Sequence, residues 1–217
     1  MADAPGDTVH VHSVQEEYFY MMIHRCACSG PWLGDSQEFQ PEGKRLRHRV
    51  GAQCYQCKAR RTFEFVLPGP EDSKAPIRQI NPTAQPSRAL DVAEWMDLAQ
   101  FYLSRIERLK KPAERAQSLL DARQCIEEAL KFYSASDDAP PADALWSDAS
   151  RKKVARHPDA FRRSALAAML EKMPDMKRLR VADKMEQQKY EKSVKELIRK
   201  HDTRRWWQVW KFFKRRQ

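Results

Sequence analysis

Two close pairs of cysteines, Cys26-Ala27-Cys28 and Cys54-Tyr55-Gln56-Cys57, are the residues whose types and spacing can do chemistry in this 217-residue chain. Close thiols can be oxidised to disulfides, exchange electrons or hold a metal ion. A secreted disulfide scaffold would carry more cysteines and a leader, and "MADAPGDTVH" lacks a basic flank followed by an apolar core. A thioredoxin-like use of Cys54 and Cys57 would need a strand and helix crossover around them, which the flanking residues do not suggest. Four thiolates at the tips of two turns instead suit tetrahedral zinc, with Cys26, Cys28, Cys54 and Cys57 as ligands. Four sulfurs close the site to water and substrate, so the expected centre is structural rather than catalytic. His24, and His10 with His12, could serve as ligands, but beside a complete cysteine set they read as surface or packing residues. Cys125 shares a helical stripe with Ile126 and Ala129 and reads as core.

Short strands are expected to position these thiols. "EEYFYMMI", Glu16 to Ile23, is aromatic-rich and has strand propensity. "KRLRHRV" alternates strictly, with Leu46, His48 and Val50 on one face and Arg45, Arg47 and Arg49 on the other. "RRTFEFVL" alternates again through Phe63, Phe65 and Leu67. The expected result is a small antiparallel sheet with one cationic face, in which strand, turn and thiols recur twice.

Over residues 16–67 the chain resembles the zinc-ribbon class, whose cysteine-rich turns lead into β-strands. "CYQCKARRTFEF" matches the second such turn, whereas "CACSG" has one residue between its cysteines where ribbons usually have two. The one-residue spacing is also similar to that of the redox-controlled heat-shock holdase chaperones, whose zinc site pairs a CxC with a CxxC. That resemblance implies a site whose oxidation expels the metal and unfolds a region.

Residues 68–86 carry five prolines and no periodicity, and read as a linker. Apolar residues then recur at helical spacing in two stretches. Trp95, Leu98, Ala99, Tyr102, Ile106 and Leu109 predict a helix over Ser87 to Lys110. Ala116, Leu119, Ala122, Ile126, Ala129, Leu130 and Tyr133 predict a second from Pro112 to Tyr133. A short turn between them makes an antiparallel hairpin with Trp95, Tyr102 and Tyr133 in its core. Two shorter helices, Ser147 to Arg156 and Pro158 to Lys172, follow from their Ser and Pro start signals. "WMDLAQFY" with Ala122, Ile126 and Ala129 resembles the helix pair of a tetratricopeptide repeat, lengthened and present in one copy.

The formal charge of +10 is concentrated at one end. Residues 175–217 hold 15 Lys/Arg against 6 Asp/Glu, whereas the rest holds 25 against 24. This stretch reads as one long charged helix ending in "RRWWQVWKFFKRRQ", where three tryptophans and two phenylalanines stand among six cations. Such an arm suits an anionic membrane surface, nucleic acid or an apolar face of a protein. Its candidate contacts are Arg204, Arg205, Trp206, Trp207, Trp210, Lys211, Lys214, Arg215 and Arg216. On the sheet, Arg45, Arg47, Arg49, Lys58, Arg60 and Arg61 are the corresponding cations.

The expected fold is α+β. A loose terminus spans 1–14, a zinc-ribbon-like antiparallel β domain 15–67, a linker 68–86, an all-α helical domain 87–174 and a long basic C-terminal helix 175–217. No nucleophile elbow, P-loop, dinucleotide fingerprint or HExxH is present, so no enzyme is expected. No run is long and apolar enough to span a membrane, and reduced thiols fit a cytoplasmic setting. The chain reads as a zinc-stabilised adaptor, with a nucleic-acid-binding ribbon and a redox-switch chaperone as alternatives.

Overall fold

The computed structural model describes residues 8–69 and 80–174. Four strands form one sheet: β1 (Val9–His10), β2 (Trp32–Glu42), β3 (Arg45–Cys54) and β4 (Arg60–Pro68), in the order β1-β4-β3-β2. The three long strands are antiparallel, and β1 pairs parallel to β4. The helices among the described residues are α1 (Val14–Ile23), α2 (Val92–Arg105), α3 (Pro112–Leu130), α4 (Asp148–Arg156) and α5 (Arg163–Lys172). The three long strands run consecutively and four of the five helices follow them, which makes the chain α+β, as its patterning implies. The basic helix expected over 175–217 lies outside the described residues.

The alternation on β3 and β4 has the expected consequence. His48 faces Phe65 and Val50 faces Phe63 on the buried side, while Arg49 faces Glu64 on the other. β2 was not anticipated. It runs 11 residues as "WLGDSQEFQPE", exposed nearly throughout, because it is the sheet edge and has no covered face to impose alternation. A tight turn with Gly43 at φ 60° joins it to β3.

Glu16 to Ile23 is helix, not strand. Ser13 caps it, its hydroxyl accepting from the Glu16 N–H at 3.2 Å. Apolar residues occur all round this helix because it packs on two sides. Tyr20 stands edge-on to Phe65 at 5.8 Å, while Phe19 meets Trp95 at 6.0 Å and Tyr102 at 5.9 Å. Packing on both sheet and helix thus replaced the period a surface helix would show.

α2 starts later than expected, at a capping box formed by Asp91 and Glu94, and ends in a 3-10 turn over Ile106–Arg108. α3 folds back along it, with the Ser118 hydroxyl donating to the Tyr102 carbonyl at 2.9 Å. Leu120 rather than Leu119 is the fully buried leucine of that turn of α3. Pro158 begins a separate 3-10 turn, Pro158–Phe161, rather than α5 itself.

The buried cluster is continuous from Phe63, Phe65 and Val50 through Phe19 into Trp95, Leu98, Ile126 and Ala129. The near end of the proline-rich stretch joins it. Ile80 and Asn81 are buried, the Ile80 carbonyl accepts from the Ser13 hydroxyl at 2.6 Å, and the Asn81 amide donates to Glu128 at 3.1 Å. Glu16 is buried yet satisfied, accepting from the His12 N–H and from the Ser87 hydroxyl, each at 2.5 Å.

Candidate metal centre

α1 ends at Ile23, and the indole of Trp32 donates to the His24 carbonyl at 2.9 Å, which fixes where the first cysteine turn begins. Within that turn the Ser29 N–H donates to the Cys26 carbonyl at 2.7 Å and the Cys26 N–H to the Gly30 carbonyl at 3.2 Å. The second turn closes β3 onto β4: Cys54 N–H donates to the Ala59 carbonyl at 2.8 Å and Lys58 N–H to the Cys54 carbonyl at 3.1 Å. Tyr55 N–H donates to the Pro31 carbonyl at 2.9 Å and ties the two turns together. Each turn places the residue after its last cysteine in the left-handed region, Ser29 at φ 65° and Lys58 at φ 62°. The spacing differs between the pairs, but the backbone device that aims the sulfurs is shared.

The four sulfurs of Cys26, Cys28, Cys54 and Cys57 lie within 4.8 Å of one another, an arrangement able to hold a metal ion. Two close approaches cross between the turns, Cys26 to Cys57 at 3.5 Å and Cys28 to Cys54 at 3.4 Å. These are free thiols rather than disulfides. Sulfurs about 2.3 Å from a tetrahedral ion stand about 3.8 Å apart, which this spread brackets.

The packing also fits a fixed ion. A β-carbon on Gly30 would stand 2.7 Å from Cys54 Sγ and 3.1 Å from the Gln56 side chain, so the glycine makes room for the sulfur. Burial disfavours ionisation of Cys54, but the N–H groups of Cys57 and Gln56 and the neighbouring thiols outweigh it and hold the group down at about 6. Cys54 and Cys26 are buried, whereas Cys28 and Cys57 are exposed, so one side of the cluster faces solvent.

The histidines stay outside this cluster. His24 Nε2 is 3.5 Å from Glu94, and burial followed by the charge of Arg61 lowers its pKa. His12 pairs with Glu16 at 3.1 Å. Cys125 is fully buried on α3, and burial raises its pKa well above the ordinary thiol range.

The sheet cations do not form one free patch. Arg47 pairs with Glu42 at 3.0 Å and Glu64 at 3.3 Å, and Arg49 pairs with Glu64 at 2.8 Å. Arg60 lies 3.3 Å from Asp35, Arg61 sits 4.8 Å over the ring of Phe63, and Lys58 sits 5.2 Å over that of Tyr55. Arg45 is exposed at the start of β3. The arm contacts expected between Arg204 and Arg216 lie outside the described residues.

One polar pair was missed. Glu17 on α1 and His48 on β3, each 2% exposed, share a 2.7 Å hydrogen bond between Oε2 and Nδ1. Burial, reinforced by Glu16, pushes Glu17 up to about 8, and burial lowers His48. The inward phase of His48 is legible in "KRLRHRV"; its partner is not, because the strand propensity of Glu16 to Ile23 conceals the helix that carries Glu17. Among the described residues no helix is long and apolar enough to cross a membrane. Comparison of the chain with protein-family models, curated proteins and solved structures gives no match.

Proposed function

We propose that Cys26, Cys28, Cys54 and Cys57 hold a structural zinc ion in a zinc-ribbon-like site, and that the chain is a non-enzymatic interaction module built around it. The observation that carries this reading is the convergence of four sulfurs from two turns within 4.8 Å. An all-thiol set favours zinc over hard cations and leaves no open position for catalysis. Bound there, the ion would cross-link the α1–β2 connection to the β3–β4 turn, which matters for a sheet whose edge strand buries little.

The contact elements in this reading are the helical body and the cationic aromatic arm, Arg204 to Arg216, which would meet a protein partner or an anionic surface. The ion pairs of Arg47 and Arg49 favour it over nucleic-acid binding by the sheet, because those guanidinium groups already face Glu42 and Glu64. Phosphates would have to displace the carboxylates. A cytoplasmic, reducing location belongs to the same reading, since it keeps the thiols available for zinc.

Metal analysis of the full chain, with and without Cys28→Ser, tests the centre. About one zinc per chain is expected for the parent and a large loss for the variant. Metal-free protein with an intact fold would overturn it. Binding to nucleic acid that weakens steeply with salt and is lost when Arg45, Arg47 and Arg49 are replaced would favour the nucleic-acid reading instead.

A further inference from the structure

At the end of β3 and β4 opposite the cysteine turn, where Arg45 faces Pro68, lies a hollow of about 250 Å³. It is smaller than the roughly 300–1,000 Å³ of drug-sized sites and suits a small ligand. Every ionisable side chain lining it among the described residues is basic: His10, His12, Lys44, Arg45 and Arg88. These come from three separate stretches of chain, so only the tertiary fold assembles them.

The stretches are held in place from behind. Fully buried Glu16 accepts from the His12 N–H and lies 3.1 Å from His12 Nδ1 with one oxygen, and its other oxygen accepts from the Ser87 hydroxyl at 2.5 Å. The Ser87 oxygen in turn accepts from the N–H groups of Ala89 and Leu90, each at 3.0 Å, which fixes the backbone around Arg88. A β-carbon on Gly69 would collide with the Lys44 carbonyl, so the end of β4 passes flush against the turn that carries Lys44. Glu16 does not itself line the hollow, and both its oxygens are engaged.

The charges in the hollow have no counterpart. Arg47 and Arg49, further along β3, are paired with carboxylates, whereas Lys44, Arg45 and Arg88 are exposed and make no ion pair among the described residues. Glu42 stands opposite Arg45 in the register, but Arg47 bonds both its oxygens, at 3.0 and 3.2 Å, so Arg45 acts on it only at longer range. Val66 and Leu67, both buried, contribute apolar wall. Low-dielectric walls concentrate the field of three permanent cations on the opening. Such uncompensated charge is better explained by an anionic ligand than by folding, since the three cations repel one another when the hollow is empty.

We propose that this hollow binds a phosphate monoester, its dianionic phosphate held by Lys44, Arg45 and Arg88 and its ester group set against Val66 and Leu67. Guanidinium groups match phosphate oxygens through paired N–H donors, and the lysine adds a third charge. The site is separate from the sulfur cluster and uses none of its residues.

Phenyl phosphate is the probe, titrated into the full chain at pH 7.5 and followed by backbone amide shifts. Its second ionisation, with a pKa of about 6, is then nearly complete. Phenyl sulfate, of the same shape with one charge fewer, is the comparator. Saturable shifts at His10, Val11, Lys44 and Leu67 are expected, with the sulfate about fivefold weaker or more. Reading the amides of the hollow keeps binding by the cationic arm from counting as binding here. Replacing Arg45 and Arg88 together by Gln should weaken binding about tenfold or more, and both side chains are exposed, so the fold should survive. Arg115→Gln removes a charge from an exposed position on α3 outside the hollow and should leave the affinity unchanged. Absence of saturation at these amides, equal binding of the sulfate, an unchanged affinity in the double variant, or an equal loss with Arg115→Gln would overturn the proposal.

Discussion

Gly30 and Cys54 sit so close that a β-carbon on the first would stand 2.7 Å from the sulfur of the second. The relationship joins the two cysteine turns sterically, as the Tyr55 to Pro31 hydrogen bond joins them through the backbone. Gly30→Ala should therefore push Cys54 off its position, lower stability by about 1–3 kcal/mol and, in protein loaded with zinc, hasten loss of the metal to a chelator. Gly34→Ala, with its nearest contact at 3.7 Å, is the control and should do neither. Equal zinc-release rates for the two variants would remove the steric link.

Ser29 and Lys58 occupy left-handed backbone at the ends of their turns. Lys58→Val should destabilise the protein by about 1–2 kcal/mol, because a β-branched residue resists that conformation. Lys58→Gly relieves the strain but adds freedom to the unfolded chain, so its midpoint in denaturant should match or exceed the parent's. If valine is tolerated as well as glycine, the turn does not need its conformation.

Glu17 sets a pH dependence. Its ordinary value is 4.5, and burial followed by the charge of Glu16 raises it to about 8. Below 4.5 both folded and unfolded chains are protonated there. Between these values folding must take up a proton, so the stability associated with the neutral acid is lost as pH rises, by at most about 1.4 kcal/mol per pH unit. Glu17→Gln cannot ionise. Its stability relative to the parent should rise from pH 6 to 8.5 in urea titrations, and a constant difference would count against the raised value. Comparison at matched pH cancels the effect of proton competition for the cysteines.

Phe19 contacts Trp95 and Tyr102 while its neighbour Tyr20 contacts Phe65, so α1 couples sheet and helices. Phe19→Ala should cost about 3–5 kcal/mol. Amide exchange should speed up in β3, β4 and α2 together rather than in α1 alone. Loss of protection confined to α1 would show that the two parts open separately.

Breaking the ion pairs of the sheet should matter little. Glu64→Gln removes the carboxylate that Arg47 and Arg49 share at 3.3 and 2.8 Å. Exposed pairs of this kind contribute about 0–1 kcal/mol, so the thermal midpoint should barely move. The same variant removes the carboxylate partner of Arg49, while Arg47 keeps its pair with Glu42. A gain in salt-sensitive nucleic-acid binding would show that Glu64 masks Arg49 on this face.

Much of this molecule could be read from local pattern. The four cysteines in two close pairs, the alternation on β3 and β4, and the stripes of Trp95 to Tyr102 and Ala122 to Ala129 follow from residue type and period. Those features persist because each element buries one side, and burying one side writes a period into the chain. The capping signal at Ser13 and Glu16 is also local, but the aromatic run after it has strand propensity and points the other way.

Tertiary structure decided what local pattern could not carry. α1 is covered by the sheet on one side and α2 on the other, so its helical period is blurred, and β2 at the sheet edge has no buried face to impose alternation. The sequence alone determined which four residues are suited to bind metal together. Their convergence depends on the approach of two turns 25 residues apart, and on a glycine that leaves room for a sulfur. The meeting of Glu17 with His48 is likewise a product of packing, because the partners of a buried polar atom are chosen by neighbours in space rather than along the chain.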